Sequence, residues 1–117
     1  MALIPLASQG NFFHIYDFRI KPGRVDEFIR LFNEFDYSDE NPMHKSAKDG
    51  VLVQDTRDDH RFWLIAEWSD IEEHARIRQQ LVAMKPAFVD CIEGGRFIPD
   101  YGEIVSSTPE HILNKAG

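Results

Sequence analysis

The chain has 117 residues, of which 43% are hydrophobic and 28% are charged, and its formal net charge is -7. This length fits one domain with its own core, and the acidic balance argues against nucleic acid as a partner, because nucleic-acid affinity rests on clustered Lys and Arg. The only cysteine is Cys91, which excludes an internal disulfide. No apolar run has the length of a membrane span or the pattern of a signal peptide. We therefore expect a cytoplasmic protein without a membrane partner.

The first predicted strand is Phe12–Ile20, in which two sets of side chains alternate between the faces. Residues 1–11 precede it and are predicted to be a flexible arm. A break at residues 21–23 separates the strand from a predicted helix over residues 24–35, whose apolar residues recur at helical spacing. The chain therefore begins its ordered part with a strand and a helix.

A loop is predicted over residues 36–50, which are rich in turn-forming residues. Loops of this length often close over a binding site, and His44 would then lie above the ligand, although a solvated loop histidine is the simpler interpretation. Val51–Asp55 is the second predicted strand. Residues 56–59 form the turn into the third strand.

The third predicted strand, Arg61–Trp68, is followed by a helix that begins at Asp70. Ser69, with Glu72 three residues later, matches a capping box. One arc of the helix is apolar and also contains His74 and Arg78. Its apolar members are Ile71, Ala75, Ile77, Leu81, Val82 and Met84. A helix that buries a histidine and an arginine must pair them, solvate them or use them.

In the last part of the chain, the sequence pattern predicts a short apolar turn over residues 87–92 and a fourth strand over residues 96–106. Pro99 and Gly102 lie inside this strand and suit an edge position. Residues 107–117 form a tail with one helical turn. Residues 12–106 are thus the predicted folded domain.

The element order β-α-β-β-α-β predicts a ferredoxin-like α+β fold, with a four-stranded antiparallel sheet and both helices on one face. Within this sheet we expect the first and third strands to lie side by side at the centre and parallel to each other. Arg19 and Glu67 would then form an ion pair.

The face of the sheet that the helices leave uncovered carries large apolar side chains. These are Phe13, Ile15, Trp63 and Ile65. A monomer would expose them to water as a patch of the size found at interaction sites. We therefore predict a homodimer that packs sheet to sheet.

Several segments resemble a known family: KPG at residues 21–23, VDEF at 25–28, Gln54 with Asp55, and RFWLIAEWSD at 61–70. Together they resemble the antibiotic biosynthesis monooxygenase domain of the dimeric α+β barrel superfamily, over roughly residues 11–105. Members include cofactor-independent oxygenases of electron-rich polycyclic phenols, haem-degrading monooxygenases and an isomerase. The resemblance implies a ligand cavity between the sheet and the helices.

The family's functional positions are only partly retained. Trp68 occupies the position of a cavity tryptophan in the quinone-forming members, whereas Leu64 replaces their asparagine and His74 their tyrosine. The residues used in haem degradation are replaced as well, at Tyr16, Ile77 and Ala87. The resemblance therefore implies an oxygenase without haem, and we expect no bound cofactor.

The leading hypothesis is a cofactor-independent monooxygenase that acts on an electron-rich aromatic or enolisable small molecule. His74 would be the general base, because imidazole titrates near neutral pH, and Arg78 and Tyr16 would orient oxygen atoms. The predicted substrate contacts are Trp68, Phe62, His14, Phe18 and Leu64.

Other interpretations stay open. His74 could be a buried histidine that bonds to Tyr16 or to a backbone carbonyl, and Arg78 could reach solvent or pair with Asp55 or Glu103. The protein could then be a non-catalytic binding module, or an isomerase or lyase of the same superfamily. The five histidines lack the HxH, HxxxH and HExxH spacings, which argues against a metal site.

Overall fold

The computed structural model of the chain describes residues 2–39, 41–42, 50–95 and 97–115. The elements in chain order are β1 (Phe12–Arg19), α1 (Val25–Asp36), β2 (Gly50–Gln54), β3 (Arg61–Trp68), α2 (Ile71–Met84), two short 3-10 turns (Ala87–Cys91 and Glu93–Gly95), β4 (Pro99–Glu103) and α3 (Glu110–Leu113). The sheet has the order β2-β3-β1-β4, and every neighbouring pair is antiparallel. The predicted ferredoxin-like α+β fold is confirmed.

Two parts of the sequence predictions lie outside the described residues. These are the middle of the 36–50 loop, which includes His44, and Arg96, the predicted start of the fourth strand. Within the described residues, β4 is shorter than predicted and begins at Pro99. A proline lacks the N–H that pairing requires and is tolerated as the first residue of an edge strand.

The expectation that β1 and β3 run parallel, with Arg19 paired to Glu67, is wrong. β1 and β2 run in the same direction and the β2–β3 hairpin reverses the chain, so β3 runs antiparallel to both. Arg19 therefore lies opposite Arg61, and Glu67 lies opposite Phe13. The guanidinium of Arg19 is instead 3.9 Å from the carboxylate of Asp58.

Glu67 holds the N-terminal arm against the sheet. Its carboxylate accepts hydrogen bonds from the backbone N–H of Ser8 at 3.0 Å and from Asn11 Nδ2 at 2.7 Å. Nearer the N-terminus, the backbone N–H of Leu3 donates to Asn114 Oδ1 of the tail at 2.8 Å. Both ends of the described chain therefore meet beside β1.

The core lies between the helices and the inner face of the sheet, and it is largely aromatic. Strand alternation sends Tyr16 and Phe18 inward from β1, where α1 covers the sheet with Phe28 and Phe32. Ring pairs in edge-to-face and tilted contact, such as Phe28 and Phe62 at 5.1 Å between centroids, fill this layer.

The start of α2 differs from the predicted capping box. The cap is Asp70, whose carboxylate accepts a hydrogen bond from the backbone N–H of Glu72 at 2.9 Å, and Ser69 lies one residue before it. An aspartate accepts this bond as well as a serine does, so the pattern located the helix start but not the capping residue.

Only part of the predicted apolar arc of α2 faces the core. His74, Ile77 and Leu81 are buried, whereas Ala75, Val82 and Met84 are exposed. The helix is rolled so that His74 packs against the sheet, and Val82 and Met84 are 46% and 41% exposed as a result. No helix among the described residues is long and apolar enough to cross a membrane.

Candidate functional site

A cavity of about 440 Å³ lies on the inner face of the sheet, beside the last turns of α1. Most of its wall is aromatic or aliphatic, with His14 and Tyr16 as polar groups on β1. The apolar wall includes Phe18, Phe32, Phe35, Leu64, Leu81, Phe88 and Phe97. This volume and this kind of wall are typical of sites for small organic molecules.

The space for the cavity comes from one row of residues across three strands. His14 lies opposite Ala66, which lies opposite Gly50, and all three line the cavity. A Cβ atom at Gly50 would come within 3.0 Å of the Ala66 side chain. The close approach of β2 to Ala66 therefore requires a glycine at position 50, and these two small residues form one part of the cavity wall.

His74, the predicted base, is fully buried behind the cavity wall. Its Nε2 atom is 3.2 Å from the hydroxyl of Tyr16 and its Nδ1 atom is 2.8 Å from the hydroxyl of Tyr101. The bond to Tyr16 is the one that the alternative interpretation of His74 expected. His74 can reach a ligand in the cavity only through Tyr16.

His14 has a different environment from His74, although the two ring centroids are only 4.4 Å apart. The indole Nε1–H of Trp68 donates to His14 Nδ1 at 2.8 Å. The other ring nitrogen, Nε2, is buried and has no hydrogen-bond partner within the described part of the chain. His14 therefore offers one polar atom that the fold itself does not use.

Arg78 lies one helical turn after His74 and points along the same face. Its guanidinium donates to the backbone carbonyl of Phe97 and lies 5.6 Å from the centre of the Phe97 ring. It thus makes neither of the predicted ion pairs, with Asp55 or with Glu103. The positive charge is held close to Tyr16.

Burial disfavours the charged forms of His14, His74 and Tyr16. The pKa of His14 is lowered to about 3 by burial and by the neighbouring His74, and the pKa of His74 is lowered to about 4 by burial and by the charge of Arg78. Burial raises the pKa of Tyr16, an effect that Arg78 opposes. At pH 7 both imidazoles and Tyr16 are therefore neutral, the Arg78 guanidinium lies beside them, and the Asp36 side chain lines the cavity at the end of α1.

The eight residues singled out in the sequence divide into two layers. Four line the cavity: His14, Tyr16, Phe18 and Leu64. The other four, Phe62, Trp68, His74 and Arg78, lie behind them. Trp68 donates a hydrogen bond to His14, and Phe62 packs against Phe28 in the core.

Sequence reasoning missed Tyr101 and the aromatic wall contributed by α1 and the segment after α2. Tyr101 reaches His74 because β4 pairs with β1, which places Tyr101 opposite His14. The sequence placed Tyr101 in the fourth predicted strand. It did not show which residue of β1 lies opposite Tyr101.

A group of metal-ligand types occurs in the β2–β3 turn, away from the cavity. Asp58, Asp59 and His60 have ligand atoms within 4.8 Å of one another. Asp59 Oδ1 lies 2.7 Å from His60 Nδ1, and Asp58 Oδ1 accepts from the backbone N–H of His60. These contacts are those of a hydrogen-bonded turn, and we assign no ligand to it.

Neither protein-family models nor curated proteins gave a match to this chain. Among solved structures, a variant of SnoaB, a cofactor-independent oxygenase from Streptomyces nogalater, is 15% identical, with 86% of this chain and 99% of SnoaB covered and a TM-score of 0.64. A structure described as an antibiotic biosynthesis monooxygenase is 18% identical, with coverages of 81% and 99% and a TM-score of 0.61.

A dimeric ferredoxin-like protein from an uncultured marine organism is 12% identical, with 84% of this chain and 90% of that chain covered and a TM-score of 0.63. At these identities the likeness establishes the fold. The chain shares this fold with proteins named antibiotic biosynthesis monooxygenase, which is the fold that the sequence resemblance implied.

The two buried histidines make the free energy of unfolding depend on pH. Both have pKa values in the fold below the ordinary value of 6.5, so between pH 7 and pH 5 the unfolded chain takes up protons that the folded chain does not. We expect each histidine to lower the stability by about 2 kcal/mol over this interval. Urea unfolding at both pH values measures the loss.

His14→Gln removes one titrating group and should remove about half of that loss. His111→Gln is the matched control, because His111 is an exposed histidine on α3, and it should retain the whole loss. A wild-type stability that is equal at pH 7 and pH 5 would contradict the buried, neutral state of these histidines.

Proposed function

We propose that the cavity binds an electron-rich aromatic or enolisable small molecule and that the protein oxidises it with molecular oxygen, without a bound cofactor. The observation that carries this proposal is the position of Tyr16, which lines the cavity and is hydrogen-bonded to the buried His74. The aromatic wall suits a flat substrate. It also excludes water from a charged intermediate.

We propose that Tyr16 is the cavity end of a hydrogen-bonded path, Tyr16–His74–Tyr101. Tyr101 is 38% exposed on the edge strand β4. A neutral imidazole accepts at one nitrogen and donates at the other, so a proton that arrives at Nε2 releases the proton on Nδ1. The path can therefore pass a proton between a ligand and solvent.

In the proposed reaction Tyr16 takes an acidic proton from the substrate as it gives its own proton to His74 Nε2. The proton on His74 Nδ1 moves to Tyr101, which loses one to solvent. The path does not require a lasting imidazolium, which a pKa of about 4 for His74 would disfavour. His74 then acts through Tyr16 and positions it, whereas Tyr16 touches the substrate.

The substrate anion supplies the electrons for oxygen. Its carbon adds O₂ to form a peroxide anion, which takes up one proton and then loses water to leave a carbonyl group. The net change converts a methylene group and O₂ into a ketone and H₂O, so the proton released in the first step is used in the third. The positive charge of Arg78 near Tyr16 favours the anionic stages.

A second candidate is an isomerase or lyase that uses the same path to move a proton within the substrate. A third is a binding module without chemistry, which the internal hydrogen bonding of both His74 nitrogens favours. Oxygen dependence separates the first candidate from the second. Turnover of any kind separates both from the third.

We further propose a cytoplasmic homodimer that packs through the outer face of the sheet. Phe13, Ile15, Trp63 and Ile65 are only half-buried there, and the neighbouring Val51 and Val53 are 56% and 39% exposed. Arg61 lies 4.6 Å above the Trp63 ring and pairs with Asp17 at 2.8 Å. The charges at the patch are thus already paired, which lowers the cost of covering them.

Replacing the Tyr16 hydroxyl tests the proposed oxygenase. We expect Tyr16→Phe to lower oxygen uptake with anthrone by about 100-fold or more, because it removes the group that exchanges a proton with the substrate. An oxygen electrode measures the rate. Tyr37→Phe is the control, since Tyr37 lines the cavity but is 78% exposed at its edge.

Either of two results would count against the oxygenase. Full uptake in Tyr16→Phe would exclude Tyr16 as the proton acceptor, and equal substrate turnover without oxygen would favour the isomerase.

Placing a charge on the outer face tests the dimer. Ile65→Lys puts an ammonium group at the centre of the apolar patch, and we expect it to convert a dimer into a monomer at micromolar concentration, because an unpaired charge is costly to bury. Sedimentation velocity measures the mass. Val82→Lys, at an exposed site on α2, should leave the dimer intact, and a monomeric wild-type protein would exclude this interface.

A further inference from the structure

The ring of His14 has one buried nitrogen without a hydrogen-bond partner among the described residues. His14 is fully buried and lines the cavity, and its Nε2 atom has no partner among the residues described. Buried polar atoms in folded proteins are nearly always hydrogen-bonded. An unpartnered one in a ring that lines a cavity points to an occupant that supplies the partner, and the occupant has to displace the side chains that cover Nε2.

The contact with Trp68 decides which kind of partner His14 can take. An indole N–H only donates, and Trp68 Nε1 lies 2.8 Å from His14 Nδ1. Nδ1 must therefore accept with its lone pair, and the proton of the neutral ring is on Nε2. A doubly protonated ring is excluded by the same contact, since it would set two N–H groups against each other.

We infer that His14 presents a fixed, uncharged N–H donor to an oxygen atom of the ligand, and that the ligand carries a carbonyl, enolate or phenolate oxygen at that position. The ligand class rests on the proposed function of the cavity, whereas the tautomer of His14 rests only on its contact with Trp68. Trp68 is a positioning residue here, because it fixes the tautomer and does not line the cavity.

This donor has a different task from Tyr16. When a proton leaves the carbon beside a carbonyl group, negative charge develops on the carbonyl oxygen, and a fixed donor at that oxygen stabilises the change. Tyr16 takes the proton and His14 holds the oxygen. An imidazole that is locked as a donor cannot itself be the base.

The cavity extends along the row that contains His14. Gly50 and Ala66 lie in that cross-strand row and line the cavity with it. A side chain added at Gly50 would collide with Ala66, so this part of the wall keeps two small residues.

The tautomer is tested first, on the wild-type protein without any ligand. Nitrogen-15 NMR of the imidazole rings should show His14 protonated at Nε2 and bare at Nδ1, with no titration between about pH 5.5 and pH 8. Trp68→Phe removes the hydrogen bond to Nδ1, and it should therefore give a mixture of the two tautomers of His14. A proton on Nδ1 of His14 in the wild-type protein would overturn the proposal outright.

Recognition of the oxygen is tested with two matched probes, measured without oxygen by fluorescence titration. Anthrone carries a carbonyl oxygen, and 9,10-dihydroanthracene has the same three rings without it. We expect His14→Phe to weaken anthrone binding by about tenfold and to leave dihydroanthracene binding unchanged. His14→Gln, which retains an N–H donor, should recover part of the loss.

Two results would overturn different parts of the account. If both probes bind the wild-type protein and His14→Phe weakens neither, the cavity stands as a ligand site and the His14 donor is wrong. If neither probe binds, the proposed function fails, and the ligand class inferred for His14 fails with it.

Discussion

Antiparallel pairing of β1 with β3 fixes the positions of His14, Tyr16 and Trp68 in the site. It places His14 and Tyr16 on the same face as Ala66 and Trp68, beneath α2, where His74 meets Tyr16 and Trp68 reaches His14. A slip of one residue would send these side chains to the outer face. The register therefore decides both what the cavity contains and which residues stand behind it.

The same pairing separates two surfaces with different tasks. Inward positions of β1 and β3 carry the cavity and its hydrogen bonds, whereas outward positions carry the apolar patch around Trp63 and Ile65. Alternation along a strand makes this separation unavoidable. A second copy that covered the outer face would leave the cavity open beside α1.

Burying two neutral histidines costs stability at acid pH, and the fold retains them in contact with each other. Their hydrogen bonds differ: both nitrogens of His74 are used within the protein, and one nitrogen of His14 is not. Polar groups that strain an otherwise aromatic core are most often kept for function. This difference assigns His74 to proton movement and His14 to ligand contact in our account.

The sequence predicted the elements well because their signals are local. The alternation of Arg61–Trp68 gave β3 with the bounds that the structure has, and the helical arc correctly placed His74 in the core. Pairing direction, the roll of α2 and the partner of His74 on β4 depend on contacts between distant segments. A periodic pattern assigns a residue to a face, and it does not say whether that face meets a cavity or a neighbouring side chain.

The most direct test of the account is single-turnover consumption of anthrone by a Tyr101→Phe variant. Tyr101 is bonded to His74 at the outer end of the path and does not line the cavity, so its hydroxyl can influence the substrate only through His74 and Tyr16. We expect a rate at least about tenfold slower than that of the wild-type protein, with anthrone binding unchanged. A wild-type rate would show that the proton leaves the cavity by another route.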